Sequence, residues 1–195
     1  MAQAGNQLDI VRLSITLRDV KPRVTRRMDV PANTCLNDLH LYIQAAMGWH
    51  NCHLWEFEAI RYEQVVTWSA DSDQYFSSPK SDASATVLDV IDFLQGKPEF
   101  NYLYDFGDSW RHKIRIGKIQ SAHKDRQYPY LVSGSGRCPL EDIGGVWGYS
   151  EFLAAFENPD SEYREYYPDY FDGSDNWNPE DAELEKRRAA IARFQ

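Results

Sequence analysis

Two short stretches bring together side chains that can move a proton or hold a cation. In Tyr104-Asp105-Phe106-Gly107-Asp108-Ser109-Trp110-Arg111-His112, two carboxylates and an imidazole stand close together. In Glu141-Asp142-Ile143-Gly144-Gly145, two adjacent carboxylates precede glycines whose missing side chains allow a close backbone approach. Carboxylates converging with an imidazole can bind a divalent ion or run acid–base hydrolysis. Asp105, Asp108, His112, Glu141 and Asp142 are therefore the candidate catalytic residues of an enzyme reading. A divalent metal is the one cofactor they suggest, with its ligands unassigned; no other cofactor is expected. His40, His50 and His53 form a second candidate cluster.

The plainer reading of the same residues is structural, and it carries more weight. Aspartates beside a glycine form turns, and Glu141-Asp142 can accept hydrogen bonds from the Gly144-Gly145 amides. An imidazole at His112, on an apolar strand face, is a core residue in most proteins. Other chemistries find less support. No GxSxG elbow is present, and Cys35, Cys52 and Cys138 lack a local reactive signature. Ser133-Gly134-Ser135-Gly136-Arg137 lacks the GK[ST] ending of a phosphate loop, and no GxGxxG follows a strand. No helix-turn-helix or zinc finger can be read.

The elements that must position these groups follow from periodicity. Phe100, Tyr102 and Tyr104 share one face of a strand, and Trp110, His112, Ile114 and Ile116 share one face of the next. The intervening Asp105–Ser109 predicts a hairpin turn, with Gly107 free to take positive φ. This hairpin is expected near the centre of a sheet with Trp110 buried. Leu8 to Val20 and Val24 to Val30 read as another hairpin, and His53 to Tyr62 as a strand. Helices are predicted from an Asn33 or Thr34 cap to Gly48, with His40 on the buried stripe; over Val87–Leu94 behind Thr86; over 151–156 behind Ser150; and over 178–194 behind Asn178-Pro179. The Ser- and Asp-rich stretch 70–84 reads as an exposed loop.

The quoted hairpin YDFGDSWRHKI resembles the signature of the plasmid pRiA4b ORF-3-like family. So do VPANTCLNDLHLYIQAAMGW, HLWEF, PLEDIGGVWGYSEFLAAF and the closing NPED, which extend the resemblance over nearly the whole chain. It implies a protein associated with plasmids and mobile elements, and no settled biochemical activity. Family members often carry a histidine where Trp55 stands and an aspartate where Ser109 stands, so the resemblance implies a poorer donor set here.

Composition bounds the rest. With 195 residues, 43% hydrophobic and 14% aromatic, the chain can build a real core, and it is read as one domain over 1–195. Three cysteines without a CxxC pair, and a start lacking a basic, apolar leader, lead to an expectation of a cytoplasmic protein; no membrane-spanning stretch is visible. The protein is acidic, with a net charge of −9, which opposes non-specific binding to duplex DNA. Bases nevertheless cluster before Pro31 and over 111–126, while acids dominate after Pro139, and the two sets are expected to neutralise each other. Hairpins and helices without βαβ alternation predict an α+β fold, an antiparallel sheet with helices on one face. The expected role is a non-enzymatic binding or accessory module whose partner, protein or nucleic acid, is not named by the sequence. The alternatives are a metal-assisted hydrolase or nuclease using the Asp/His/Glu cluster, and a nucleic-acid binder using its basic strand faces.

Overall fold

Alternating burial is the rule that builds the sheet. Along β1 (Asp9–Leu17), Val11, Leu13, Ile15 and Leu17 are buried, while Arg12, Ser14 and Thr16 face solvent. The same alternation recurs in β6 (Glu99–Tyr104) and the first half of β7 (Trp110–Ser121), which pair with Tyr104 opposite Trp110, Tyr102 opposite His112 and Phe100 opposite Ile114. The computed structural model describes residues 8–69, 80–82, 84–171 and 177–195. Within them lie β2 (Thr25–Pro31), α1 (Leu36–Met47), β3 (Trp55–Arg61), β4 (Gln64–Ser69), β5 (Lys80–Asp82), α2 (Val87–Leu94), β8 (Tyr130–Ser135), α3 (Gly145–Ala154), α4 (Tyr163–Tyr166) and α5 (Leu184–Ile191). The strand order is β5-β4-β3-β6-β7-β1-β2-β8, antiparallel except for the short β5 beside β4. The fold is α+β, and the β6–β7 hairpin sits at the sheet's centre, as its aromatic face requires. No described helix is long and apolar enough to cross a membrane.

Local chemistry explains where the elements begin and end, and where expectation missed. Thr86 and Asp89 form a reciprocal capping box that starts α2 at Val87, as predicted. Gly48, at φ 97°, stops α1 as predicted, but the cap at its start is Cys35, whose Sγ accepts from the Asp38 amide. Asn33 and Thr34 are not the cap because the neighbouring backbone is committed elsewhere. The Thr34 amide donates to the Pro31 carbonyl, and Cys35 bridges Thr86 at the start of α2. The hairpin turn forms, yet its positive-φ residues are Asp105 and Ser109, not Gly107. Aspartate tolerates that conformation because its own carboxylate then accepts the Gly107 and Asp108 amides.

Three further expectations are corrected. The helix expected behind Ser150 begins at Gly145, and Ser150 lies inside it. Gly145 (φ 68°) is needed where it stands, since a Cβ there would lie 2.6 Å from the Asp108 carbonyl oxygen. The terminal helix begins at Leu184 instead of near Asn178. Pro179 spends its carbonyl on the Arg137 amide, Asn178 closes a turn on Glu180, and Glu183 (φ 49°) breaks the chain before α5; a 3-10 turn then ends at Phe194. Of the expected loop 70–84, Lys80–Asp82 form β5, while 70–79 and 83 lie outside the described residues. Strands β4 and β8 were not anticipated.

Trp110 is 0% exposed, with its ring against Trp49. Truncating so large a core ring costs roughly 3–5 kcal/mol, so Trp110→Ala should lower the denaturant midpoint strongly. Trp110→Phe should cost less, since it also removes an indole N–H that has no partner among the described residues. A midpoint unchanged by Trp110→Ala would mean that this hairpin does not organise the core.

Candidate divalent-cation site

The site is built outward from Tyr104, the last residue of β6. Strand alternation turns its ring inward, where it stacks on Trp49, and leaves its hydroxyl at the sheet's end. There the hydroxyl accepts from the Cys52 amide at 3.2 Å and donates to Glu141 Oε1 at 3.1 Å. Burial, with Cys52 and Glu141 beside it, pushes the phenol's pKa up, so Tyr104 stays a neutral donor. Glu141 Oε1 also accepts from the His50 amide at 2.7 Å. The segment before β3 is thereby pinned against the segment before α3, and His53 is set between them.

Three carboxylates then face one imidazole nitrogen. His53 Nε2 lies 3.7 Å from Asp105 Oδ2, 3.8 Å from Glu141 Oε2 and 3.2 Å from Asp142 Oδ1. That nitrogen is shielded from solvent and has no hydrogen-bond partner among the described residues. His53, Asp105 and Asp142 can each offer one donor atom with all three atoms inside 4.8 Å, and so can Cys52, His53 and Glu141. The ion pairs of Asp105, Glu141 and Asp142 with described residues all run to His53.

Of the five residues singled out from sequence, three meet here: Asp105, Glu141 and Asp142. Asp108 stands beside them in another role, its Oδ2 accepting the Gly144 amide at 3.2 Å and fastening the hairpin turn to the lead-in of α3. His112 is not part of the cluster. It is 0% exposed, its Nδ1 lies 3.3 Å from the Tyr102 carbonyl oxygen, and its ring meets Trp49 edge-on. The second histidine set also divides. His40 is buried, stacked on Trp55 at 4.3 Å, and bonded to the Tyr102 hydroxyl and Asn51 Oδ1. His50 contributes its amide, and only His53 joins the acids. Sequence reasoning missed Tyr104 and Cys52. The adjacency of Tyr104 to Asp105, and of Cys52 to His53, was the available signal.

The chain matches, over residues 9–186, the family described as Plasmid pRiA4b ORF-3-like protein, and it belongs to that family. It is similar to the uncharacterized protein y4hQ of Sinorhizobium fredii (strain NBRC 101917 / NGR234), with 39% identity over 153 residues that make up 78% of this chain and 76% of the relative. Among solved structures it is similar to the protein of unknown function MM3350 from Methanosarcina mazei Go1, with a TM-score of 0.78 and 32% identity, covering 91% of this chain and 96% of that one.

The histidines held away from the acids set a pH dependence. Burial depresses both His40 and His112 from the usual 6.5 to about 4. Between those values the unfolded chain binds more protons than the folded one, so stability is fully present above about pH 6.5 and falls as pH drops toward 4. At about 1.4 kcal/mol per pH unit, each imidazole can remove up to about 3 kcal/mol. Urea denaturation at neutral and at mildly acidic pH should show this decline, and a flat profile would mean the two rings are protonated when folded.

Proposed function

We propose that this protein is a non-enzymatic binding module that holds a divalent cation between His53, Asp105, Glu141 and Asp142. The observation that carries this reading is the His53 Nε2 atom, shielded and without a hydrogen-bond partner, aimed at three carboxylates from two separate segments. Donors bound about 2.0–2.2 Å from an ion stand about 3–3.5 Å from one another, and the 3.2, 3.7 and 3.8 Å separations need little contraction to reach that. One imidazole among carboxylates suits zinc or manganese better than calcium, and Cys52 is near enough to supply a thiolate. The ion would neutralise acids for which the only described basic partner is an imidazole, and it would brace the hairpin turn against α3.

Binding is favoured over hydrolysis by the fate of the imidazoles. His112, the base a hydrolase reading needs, packs among Trp49 and Tyr102, and His53 is itself a ligand in the proposed site. Leu54, just before β3, and Trp147, on the first turn of α3, are exposed, Trp147 to 85%. A rigid, ion-braced turn flanked by an exposed indole is a surface suited to a partner.

Thermal melting of metal-stripped protein with added zinc or manganese tests this. At a hundredfold excess over Kd, an ion binding only the folded state adds about 2.7 kcal/mol, which corresponds to a rise of roughly 5–10 °C for a chain of this size. His53→Ala and Asp142→Asn should abolish the rise, while Asp108→Asn, outside the donor set, should keep it. No ion-dependent rise in the parent would leave the cluster as an internal imidazole–carboxylate network.

A further inference from the structure

We propose that the solvent-facing side of β7, β1 and β2 is a docking surface for the phosphate backbone of a nucleic-acid strand. This surface is independent of the cation site and is carried by the register of the sheet. Ser14 of β1 pairs with Arg27 of β2 on one side and with Arg115 of β7 on the other, so the two exposed guanidinium side chains stand on the same face, one strand apart on either side of a hydroxyl. With strands about 4.8 Å apart, that puts their Cα atoms about 10 Å apart. One pair further along β1, Arg12 is held by Asp29 through two hydrogen bonds of 2.6 and 2.8 Å. Past the irregularity at Gly117, Lys118 is exposed. Arg12, Arg27, Arg115 and Lys118, with Ser14 between the strands and Gln120 beyond Lys118, line a groove of about 370 Å³ that no carboxylate among the described residues lines.

Among the described residues, the acids after Pro139 form no ion pair with Arg12, Arg27, Arg115 or Lys118. Among the described residues, Glu183 pairs with Arg137, Lys186 and Arg187, Glu185 pairs with Arg188, and Glu141 and Asp142 face His53. On the basic strands, Asp29 lies beside Arg12 and Arg126, and Glu99 beside Lys113. Arg27, Arg115 and Lys118 have no ion pair within 4.0 Å among the described residues. Three unpaired cations on a rigid face, in a chain of net charge −9, mark a local preference for negative charge.

Charge complementarity selects the occupant. A nucleic acid carries a charge about every 3.4 Å along each strand, so phosphates meet cations set at almost any spacing, and Ser14 and Gln120 add neutral donors. A membrane surface calls for apolar side chains to insert, whereas the groove's apolar lining is Pro98 and a half-buried Ile116. An acidic peptide would have to match the fixed placement of the guanidinium groups with its own carboxylates. Because the net charge opposes approach at long range, binding should be weak at physiological salt and clear at low salt.

Fluorescence anisotropy with a labelled oligonucleotide of about 20 nucleotides, single-stranded and duplex, over a salt series from about 50 mM, tests the surface. The parent should bind at low salt with log Kd rising linearly in log salt. The double variant Arg27→Gln/Arg115→Gln should weaken binding about tenfold or more and flatten the slope by about 1.5–2. Lys186→Gln, on α5, should change neither, and urea midpoints of all variants confirm folding. The proposal is overturned by absence of oligonucleotide binding at low salt, by binding indifferent to the double variant, or by equal loss in Lys186→Gln. It is also overturned if phosphatidylserine vesicles or polyglutamate bind more tightly than the oligonucleotide.

Discussion

Two phenol hydroxyls on one strand fix most of what surrounds them. Tyr102 and Tyr104 both point inward from β6 and are 0% exposed, and a buried hydroxyl without a partner is costly. Tyr102 is served by α1. Gln44 Nε2 donates to its oxygen at 3.0 Å, and the hydroxyl lies 2.7 Å from His40 Nδ1. Because burial keeps His40 neutral and its Nε2 faces Asn51 Oδ1 at 2.6 Å, the proton sits on Nε2, and Nδ1 must accept from Tyr102. The Asn51 amide closes the ring by donating to Gln44 Oε1 at 3.0 Å. Tyr104 is served instead by the loop after α1 and by Glu141. Satisfying these two groups aligns α1 over the central hairpin and draws two distant segments to the end of β6. The carboxylates gather around His53 as a consequence.

A second buried group ties the other side of the molecule to the same helix. Arg26 on β2 is 1% exposed and has no carboxylate partner among the described residues; its guanidinium donates to the carbonyls of Ala46, Thr25, Ser135 and Gly136. Burial depresses its pKa, although arginine remains charged at any ordinary pH. Ala46 belongs to the last turn of α1, where carbonyls lack helical partners and the helix dipole favours a cation. The charge is therefore met by dipoles instead of an anion, and α1 is held at its C-terminal end to β2 and β8. Along β8 itself, Arg188 of α5 donates to the Leu131 and Val132 carbonyls, which covers an edge strand that would otherwise be open.

The parts of this arrangement that could be read from sequence are those governed by one local rule. Period-two burial located β1, the β6–β7 hairpin and the inward face of Trp110 and His112, and a Thr86 cap located α2. The same rule correctly made His112 a core residue, which is why it is absent from the cluster. His53 could not be preferred to His40 or His50 on such grounds, because its place depends on a loop folding back onto a turn that comes some fifty residues later. Gly145 and Gly148 read as loop by propensity; what fits them for α3 is close packing, with Gly145 against Asp108 and Gly148 against the Ile143 carbonyl. By charge Arg26 reads as one more of the bases clustered before Pro31, since a charge tally cannot see four carbonyls assembled from distant segments.

The sheet also explains how one acidic chain keeps two oppositely charged regions. Acids gather at the turn end of the β6–β7 hairpin, whereas Arg115 and Lys118 rise from β7 on the outer face. At about 3.3 Å per residue, Arg115 stands about 20 Å along the strand from the Asp105–Ser109 turn. That is more than two screening lengths at physiological salt, where the length is about 8 Å. Charge at one end therefore does little to the occupancy of the other. The Arg12–Asp29 pair beneath the basic groove offsets charge locally without filling it, since Asp29 is 1% exposed and offers little to a ligand. The hairpin thus keeps its acidic cluster and its exposed bases far apart along one rigid layer, and each can be altered without rebuilding the core between them.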